Sequence, residues 1–356
     1  MKILLITATN LYLTPYVHYY LSINNGIFDI AYWDRHNLDE KSSNHKNIYR
    51  FVTPKYKENI SKIKKILYYI KFVIFLKKVI KQNKYKKVIF LQSSIAVFMT
   101  SFLHKHLASH YIVDIRDYSF EGFGLFRKLE KKNFKSAYAL FISSDGFRNF
   151  LPKSNYQVVH NYNPINSTTK QYFLNKDIQT KHVIISFIGL VRFQEQNKRI
   201  IDFFKNDERF TIRFIGKGAN ELLDYVMCNS ISNVELIDYF DPSQTISYYK
   251  ETDFIMNLYG NHTPLLDYAL SNKLYYAASL YLPVLVCPDT YMEKISKEYG
   301  FGITIDFNNP KTKDDVISFW KVNNRENFIS KCDSFIDKVE KDMKQFQQIV
   351  REFINE

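Results

Sequence analysis

The sequence predicts an α/β chain of two doubly wound units, each a parallel sheet covered by helices on both faces. Three observations carry this. Short β-branched or aromatic runs alternate with helix-length amphipathic segments along nearly the whole chain. The runs are almost continuously apolar, the pattern of strands buried on both faces of a parallel sheet. They also divide evenly around residue 170 of the 356, and that length fits about two domains of roughly 150 residues.

In order, the first six strands are expected at 3–7, 28–33, 88–91, 111–115, 137–143 and 157–160. The second six are expected at 183–189, 210–216, 234–238, 254–258, 283–287 and 302–305. Between the sets, 163–181 is polar, contains Pro164 and lacks periodicity, so it reads as an interdomain linker. Beyond the last strand, 314–320 and 325–354 read as helices, the second broken or bent.

Composition narrows the class. Hydrophobic residues make up 46% and aromatics 17%, enough to fill two cores and too many for a disordered chain. Ten Gly and nine Pro exclude collagen-like and linker-type compositions. The abundance of Lys, Ile, Asn, Tyr and Phe looks like AT-rich coding bias, so one Lys or Tyr carries little information. Cys228, Cys287 and Cys332 are far apart, form no CxxC pair and suit a reducing compartment. At the start, Thr7 to Asn10 interrupt the apolar run and no A-x-A site follows, so a buried strand is expected rather than a signal peptide. The best candidate for a spanning helix is interrupted by Lys71, Lys77 and Lys78. A cytoplasmic protein, at most peripheral at the inner face of the plasma membrane, is expected.

The formal net charge of +13 points to an anionic partner. Twelve lysines and one acid, Glu58, fall between Lys55 and Lys87, so that stretch alone carries +11. Within the basic helix expected at 58–80, Ile63, Ile66, Leu67, Ile70, Val73 and Ile74 have the spacing of a core-facing stripe. Tyr68, Phe72, Phe75 and Val79 form a second apolar set on roughly the opposite side, flanked by Lys64, Lys65, Lys71 and Lys78. That second set either inserts at an anionic membrane surface or is buried in protein while the lysines extend outward. Nucleic acid fits poorly, because no helix-turn-helix, zinc finger or RNP motif occurs.

The most specific stretch is 267–289, DYALSNKLYYAASLYLPVLVCPD. It reads as a loop, a helix opening at Ser271 or Asn272, a stop before Pro283 and a buried strand. The N-terminus of such a helix offers free N–H groups and a positive dipole end to an anion, and Lys273 adds a point charge. Ser271, Asn272, Lys273, Leu274, Tyr275, Pro283 and Val284 resemble the donor-site segment of GT-B glycosyltransferases, especially bacterial family-4-like enzymes of capsule and O-antigen assembly. Two segments support the resemblance: ISFIGLVR at 185–192 and FIGKG at 214–218 are similar to the first two strand–glycine turns of the family's C-terminal domain. The segments 233–242 and 253–259 fit its later strands, and DIRD at 114–117 resembles a strand end of its N-terminal domain.

The resemblance implies a GT-B fold, with two Rossmann-like domains facing an interdomain cleft. It divides the chain into an acceptor domain at 1–165, a linker at 166–181, a donor domain at 182–325 and C-terminal helices at 326–356 that pack back on the first domain. It implies that Gly189 lets the chain approach the donor phosphates and that Arg192 and Lys198 neutralise the diphosphate. Gly216 would lie at the wall of the base pocket, and Ser271 to Leu274 would meet the pyrophosphate. Without the resemblance, Arg192 and Lys198 are solvated loop charges. The family's two glutamates, eight positions apart, fall at Tyr268 and Tyr276. Asp267, one residue off, is a candidate substitute for the first, and Tyr276 could still donate a hydrogen bond to the ribose. The loop at 8–14 also lacks the family's frequent glycines.

For catalysis, Asp117 and Glu121 follow a strand end, where α/β ligand sites lie, and Asp117 is the candidate near the reacting sugar. His104, His106 and His110 are expected at the surface. With no DxD motif and no His/Cys cluster, metal-independent transfer without a cofactor is expected. The expected function is transfer of a sugar from a nucleotide-diphosphate donor to a lipid-linked surface glycan, with retention implied by the resemblance alone. The rivals are a GT-B sugar-nucleotide epimerase and a non-catalytic, membrane-associated subunit with a degenerate donor site. A Rossmann oxidoreductase is disfavoured because no GxGxxG follows any strand.

Overall fold

The computed structural model describes residues 2–24, 26–40, 47–53, 61–177 and 181–356. The chain divides into two compact units, one comprising Met1–His160 with Lys341–Glu356, the other Asn161–Glu340.

The first unit holds β1 (Ile3–Thr7), β2 (Phe28–Asp34), β3 (Ile48–Val52), β4 (Lys87–Phe90), β5 (Tyr111–Ile115), β6 (Ala139–Ile142) and β7 (Gln157–Val158). They form one parallel sheet in the order β3-β2-β1-β4-β5-β6-β7. Six of these coincide with expected strands. The seventh, β3, differs from the expectation: IYRFV carries Arg50, pairs among the described residues with β2 alone and is half-buried throughout, so its apolar signal is diluted at the sheet edge.

The helices of this unit are α1 (Val17–Leu21), α2 (Lys62–Gln82), α3 (Ser93–Phe98), α4 (Thr100–His106) and α5 (Gly124–Ser136). α3 packs against both α2 and α5, and α4 against α5. On α1's side, Tyr16, Val17 and Tyr20 meet Ile3, Leu5 and Phe141 of the sheet and Phe346, Val350 and Phe353 near the C-terminus.

On α2 the stripe expected in the core is largely exposed, while the second set takes the protein-buried alternative, with Tyr68 and Phe75 partly buried. Phe72 is fully buried, with its ring 5.7 Å from Trp33 and 5.3 Å from Phe51, and Val79 is buried too. Ile66, Leu67, Ile70 and Ile74, expected in the core, are exposed, while Val73 is buried. The aromatic set belongs inside because β2 and β3 present Trp33 and Phe51, whose rings it completes. Ile63 lies outside the described side chains, and residues 54–60, including Glu58, lie outside the described residues.

The second unit holds β8 (Val183–Ile188), β9 (Phe210–Ile215), β10 (Val234–Ile237), β11 (Phe254–Asn257), β12 (Val284–Val286) and β13 (Gly302–Thr304). All pair in parallel, in the order β10-β9-β8-β11-β12-β13. Its helices begin with α6 (Ser167–Leu174), α7 (Gln194–Phe204), α8 (Leu223–Cys228), α9 (Thr245–Lys250) and α10 (Pro264–Tyr268). They continue with α11 (Asn272–Ser279), α12 (Tyr291–Glu298), α13 (Thr312–Val322) and α14 (Arg325–Asn355).

Two elements differ from the sequence expectation. α6 lies inside the expected linker; Asn166 caps it by accepting from the Thr169 N–H at 2.8 Å, and Phe173 is fully buried. Residues 178–180 of that segment lie outside the described residues. α14 runs for 31 residues without a break, and residues 341 onward belong to the first unit.

Candidate functional site

In the second unit, three of the candidate donor residues, Gly189, Gly216 and Lys273, come together beyond the ends of strands β8 and β9. Gly189 and Gly216 have φ of 135° and 132°, a region that L side chains rarely adopt. A Cβ on Gly216 would lie 1.9 Å from the Gly189 carbonyl oxygen, so these two strand ends press together backbone to backbone. A Cβ on Gly189 would lie 3.6 Å from Lys273 Nζ, which brings the expected phosphate-side glycine and lysine to one point.

Lys273 is buried on the first turn of α11. Its ammonium lies 4.1 Å from the Phe187 ring centroid and donates to the Tyr259 hydroxyl at 2.9 Å. A buried ammonium needs such partners, because its charge is otherwise left without solvation. Ser271 caps the helix by accepting from the Lys273 backbone N–H at 3.3 Å, beside Asn272. Leu274 is fully buried and anchors α11 in the core.

Arg192 is exposed on the loop between β8 and α7, and its guanidinium lies 5.7 Å from the Phe193 ring. Phe193 in turn meets Tyr259 edge-on at 6.0 Å, so aromatic contacts connect Arg192's loop to the Lys273 pocket. Lys198 is held differently: it pairs with Glu195 at 2.8 Å and lies 5.5 Å from the Tyr225 ring on α8. Tyr276 packs on Tyr249 at 5.0 Å, and burial raises its pKa further above the ordinary tyrosine value. Asp267 accepts from the His262 N–H at 2.7 Å, fixing the turn that leads into α10.

Sequence reasoning did not single out Phe187, Tyr259 or Asp238. Asp238 accepts from the Gly218 and Asn220 N–H groups, each at 3.0 Å, and so sets the glycine turn after β9. A carboxylate just beyond a strand and level with a glycine turn was the available signal.

In the first unit, Asp117 is exposed just beyond the end of β5. Beside it, buried Asp114 receives two bonds from Arg116, at 2.8 and 2.9 Å, and one from Tyr20 at 2.7 Å. Arg116 is held in its charged form by Asp114, against the cost of burial. Glu121 is buried, accepts from the Ser119 N–H at 2.5 Å and lies 3.5 Å from Ser93 Oγ. Burial first, and the nearby Asp117 charge among lesser causes, raise its pKa. Glu130 on α5 is fully buried; among the described residues neither carboxyl oxygen makes a hydrogen bond of standard geometry, and the nearby Ser93 hydroxyl favours its charged form only slightly. Burial and the Glu121 charge push its pKa up to about 8.

The loop after β1 is organised without glycines. Asn10 donates to Asp34 at 2.7 Å and Glu40 at 2.8 Å, while Glu40 accepts from the Leu11 and Tyr12 N–H groups. Of the three histidines expected at the surface, His106 and His110 are exposed and His104 is half-buried: His104 approaches Ser136, His106 lies against Phe102, and His110 contacts the Ala108 carbonyl. Among the described residues, no group of three or more His, Cys, Asp or Glu is placed to hold a metal ion. Among them too, no helix is long and apolar enough to cross a membrane.

At the level of sequence, neither a known protein family nor a curated protein matches the chain. Solved structures match it end to end. Sucrose-phosphate synthase from Thermosynechococcus elongatus superposes with a TM-score of 0.70 at 10% identity, covering 100% of both chains. The lipopolysaccharide outer core galactosyltransferase WaaB, in its apo form, gives 0.68 at 15%, covering 99% of both. HepE from Anabaena, solved in complex with UDP, gives 0.69 at 9%, covering 99% of this chain and 100% of that one. These neighbours are GT-B glycosyltransferases, and the two-sheet α/β architecture of this chain is the GT-B fold.

Proposed function

We propose that the chain is a glycosyltransferase that moves a sugar from a nucleotide-diphosphate-sugar donor to a lipid-linked surface glycan of the capsule or O-antigen type. The observation that carries this reading is the buried Lys273 ammonium beside Gly189, at the start of a capped helix. A departing nucleoside diphosphate gains negative charge in the transition state. A fixed cation at the positive end of a helix dipole stabilises that charge without reorganising. Arg192 supplies a second cation from the neighbouring loop, with a planar fork suited to two phosphate oxygens. Lys198 would join them after leaving Glu195. The same proposal takes the reaction to be metal-independent, with no cofactor beyond the donor substrate.

Retention at the anomeric carbon, Asp117 acting near the reacting sugar, and work at the inner face of the plasma membrane belong to the same proposal. HepE is solved with UDP, and with UDP and glucose, which makes uridine diphosphate sugars the first donors to test. One observation favours the alternative of a non-catalytic subunit: the family's glutamate positions hold Tyr268 and Tyr276, and Tyr276 is packed on Tyr249.

A thermal-shift screen with UDP, GDP, CMP and dTDP and their sugars separates the two. A bound nucleotide stabilises the fold by mass action. One of the four should raise the melting temperature, and Lys273→Met, which keeps the aliphatic stem between Phe187 and Tyr259, should abolish the shift. No response to any nucleotide favours the degenerate subunit.

A further inference from the structure

We propose that the first unit docks on an anionic lipid bilayer through a surface that α2 shares with α5 and the loop before it. The inference deepens the membrane-face reading above. On α2, Ile66 (45% exposed), Leu67 (51%), Ile70 (44%) and Ile74 (62%) form an exposed aliphatic stripe. Lys64, Lys71 and Lys78, spaced by seven along the chain and all exposed, run along one edge of it.

The stripe does not stand alone. Phe123 is 60% exposed and Leu125 72%, at the entry to α5. Phe120 joins this loop to α2: its ring lies 6.0 Å from Lys65 Nζ, 6.2 Å from Tyr69 and 6.5 Å from Phe123. α5 itself exposes Arg127, Lys128, Lys131, Lys132 and Lys135. The only acidic residue in the four helices α2 to α5 is Glu130, and it is buried.

Charge and apolar surface together select the occupant. Aliphatic and phenyl side chains enter the acyl boundary while ammonium groups meet lipid phosphates. A nucleic acid would use the cations but gains nothing from exposed isoleucines. A second copy of this surface would set lysines against lysines at short range. A bilayer with anionic headgroups satisfies both features at once.

The test is flotation of the full chain with phosphatidylcholine vesicles, with and without phosphatidylglycerol. Wild type should float only with phosphatidylglycerol and should be released by salt, which screens exposed charges beyond about 10 Å at 0.1 M. Combining Lys128→Gln, Lys131→Gln and Lys132→Gln should weaken partitioning roughly a hundredfold, since each lysine near an anionic surface is worth about a factor of five. Combining Ile66→Ser, Ile70→Ser and Ile74→Ser should weaken it about tenfold or more. Both variants change exposed positions and should keep the wild-type melting temperature. The proposal is overturned if wild type ignores phosphatidylglycerol or if both variants float as wild type does. It is also overturned if the isoleucine variant differs only in oligomeric state, or if the surface binds an RNA homopolymer in a way that survives the isoleucine changes. Turnover is not read, so failure here leaves the donor-site reading standing, and loss of nucleotide binding leaves this one standing.

Discussion

Glu130 makes the stability of the first unit depend on pH in a direction opposite to that of an ion-paired carboxylate. Its side chain is fully buried, neither oxygen makes a hydrogen bond of standard geometry among the described residues, and burial with the Glu121 charge outweighs Ser93 to raise its pKa from 4.5 to about 8. Above pH 4.5 the unfolded chain releases this proton while the folded chain retains it, so stability falls as pH rises toward 8. Each unit of separation is worth about 1.36 kcal/mol, giving an upper bound of about 4–5 kcal/mol lost across the window. Glu130→Gln removes the titration and keeps the shape. The two units need not unfold together, so the reading should come from Trp33 fluorescence in a Trp320→Phe background during urea titration. Near pH 5 the Gln variant should match the parent within about 1 kcal/mol, and near pH 8 it should be more stable by about 3–5 kcal/mol. If the difference between Glu and Gln is the same at both pH values, the carboxyl is hydrated or paired in solution and the reasoning fails.

Three further outcomes follow from the packing and the donor site. Arg192→Ala should lower transfer about ten- to hundredfold, the equivalent of one charge-assisted hydrogen bond, with the apo melting temperature unchanged; Arg192→Lys should recover only part. Gly216→Ala should destabilise the second unit by about 2–3 kcal/mol or more in urea titration, since it adds a left-handed alanine and a contact with the Gly189 carbonyl. Phe72→Ser should cost at least about 3–5 kcal/mol of first-unit stability, as expected for emptying a buried aromatic site, whereas Ile74→Ser should cost little.

The sheets were legible because strands such as VIISFI at β8 are buried on both faces, and a short unbroken apolar run admits few other fates. β3 escaped because an edge strand is paired on one side only and tolerates Arg50, which donates to Asp34 at 2.7 Å. α6 escaped because one buried side chain, Phe173, ties a mostly polar segment down, and one residue makes no periodicity. α2 shows a deeper limit. Its sequence carries two apolar sets on opposite sides, and spacing alone ranks neither. The choice is made by residues far along the chain: Trp33 and Phe51 offer rings, so Phe72 goes in and Ile74 stays out.

The candidate donor site divides along the same line. Gly189 and Gly216 were readable through the resemblance of their strand–glycine segments to the family, and their positive φ gives the physical reason a glycine stands at each strand end. Lys273 was readable as a charge on a first helical turn, but its surroundings were not. Phe187 comes from β8 and Tyr259 from just beyond β11, and sequence spacing does not reveal that they converge on one ammonium. Those partners decide what the lysine can do. A solvated lysine at a helix start is a weak and mobile attraction for phosphate. An ammonium held between a ring and a phenol is already desolvated and aimed, so less reorganisation remains when charge develops on a leaving group. The aromatic neighbours therefore have a role separable from the charge itself. Tyr259→Phe removes the hydroxyl that holds Lys273 and leaves the ring and the charge in place. If orientation matters as argued, this variant should reduce transfer by about the factor of one neutral hydrogen bond, roughly three- to tenfold, without lowering the melting temperature. A variant as active as wild type would show that the ammonium finds its place without the tyrosine.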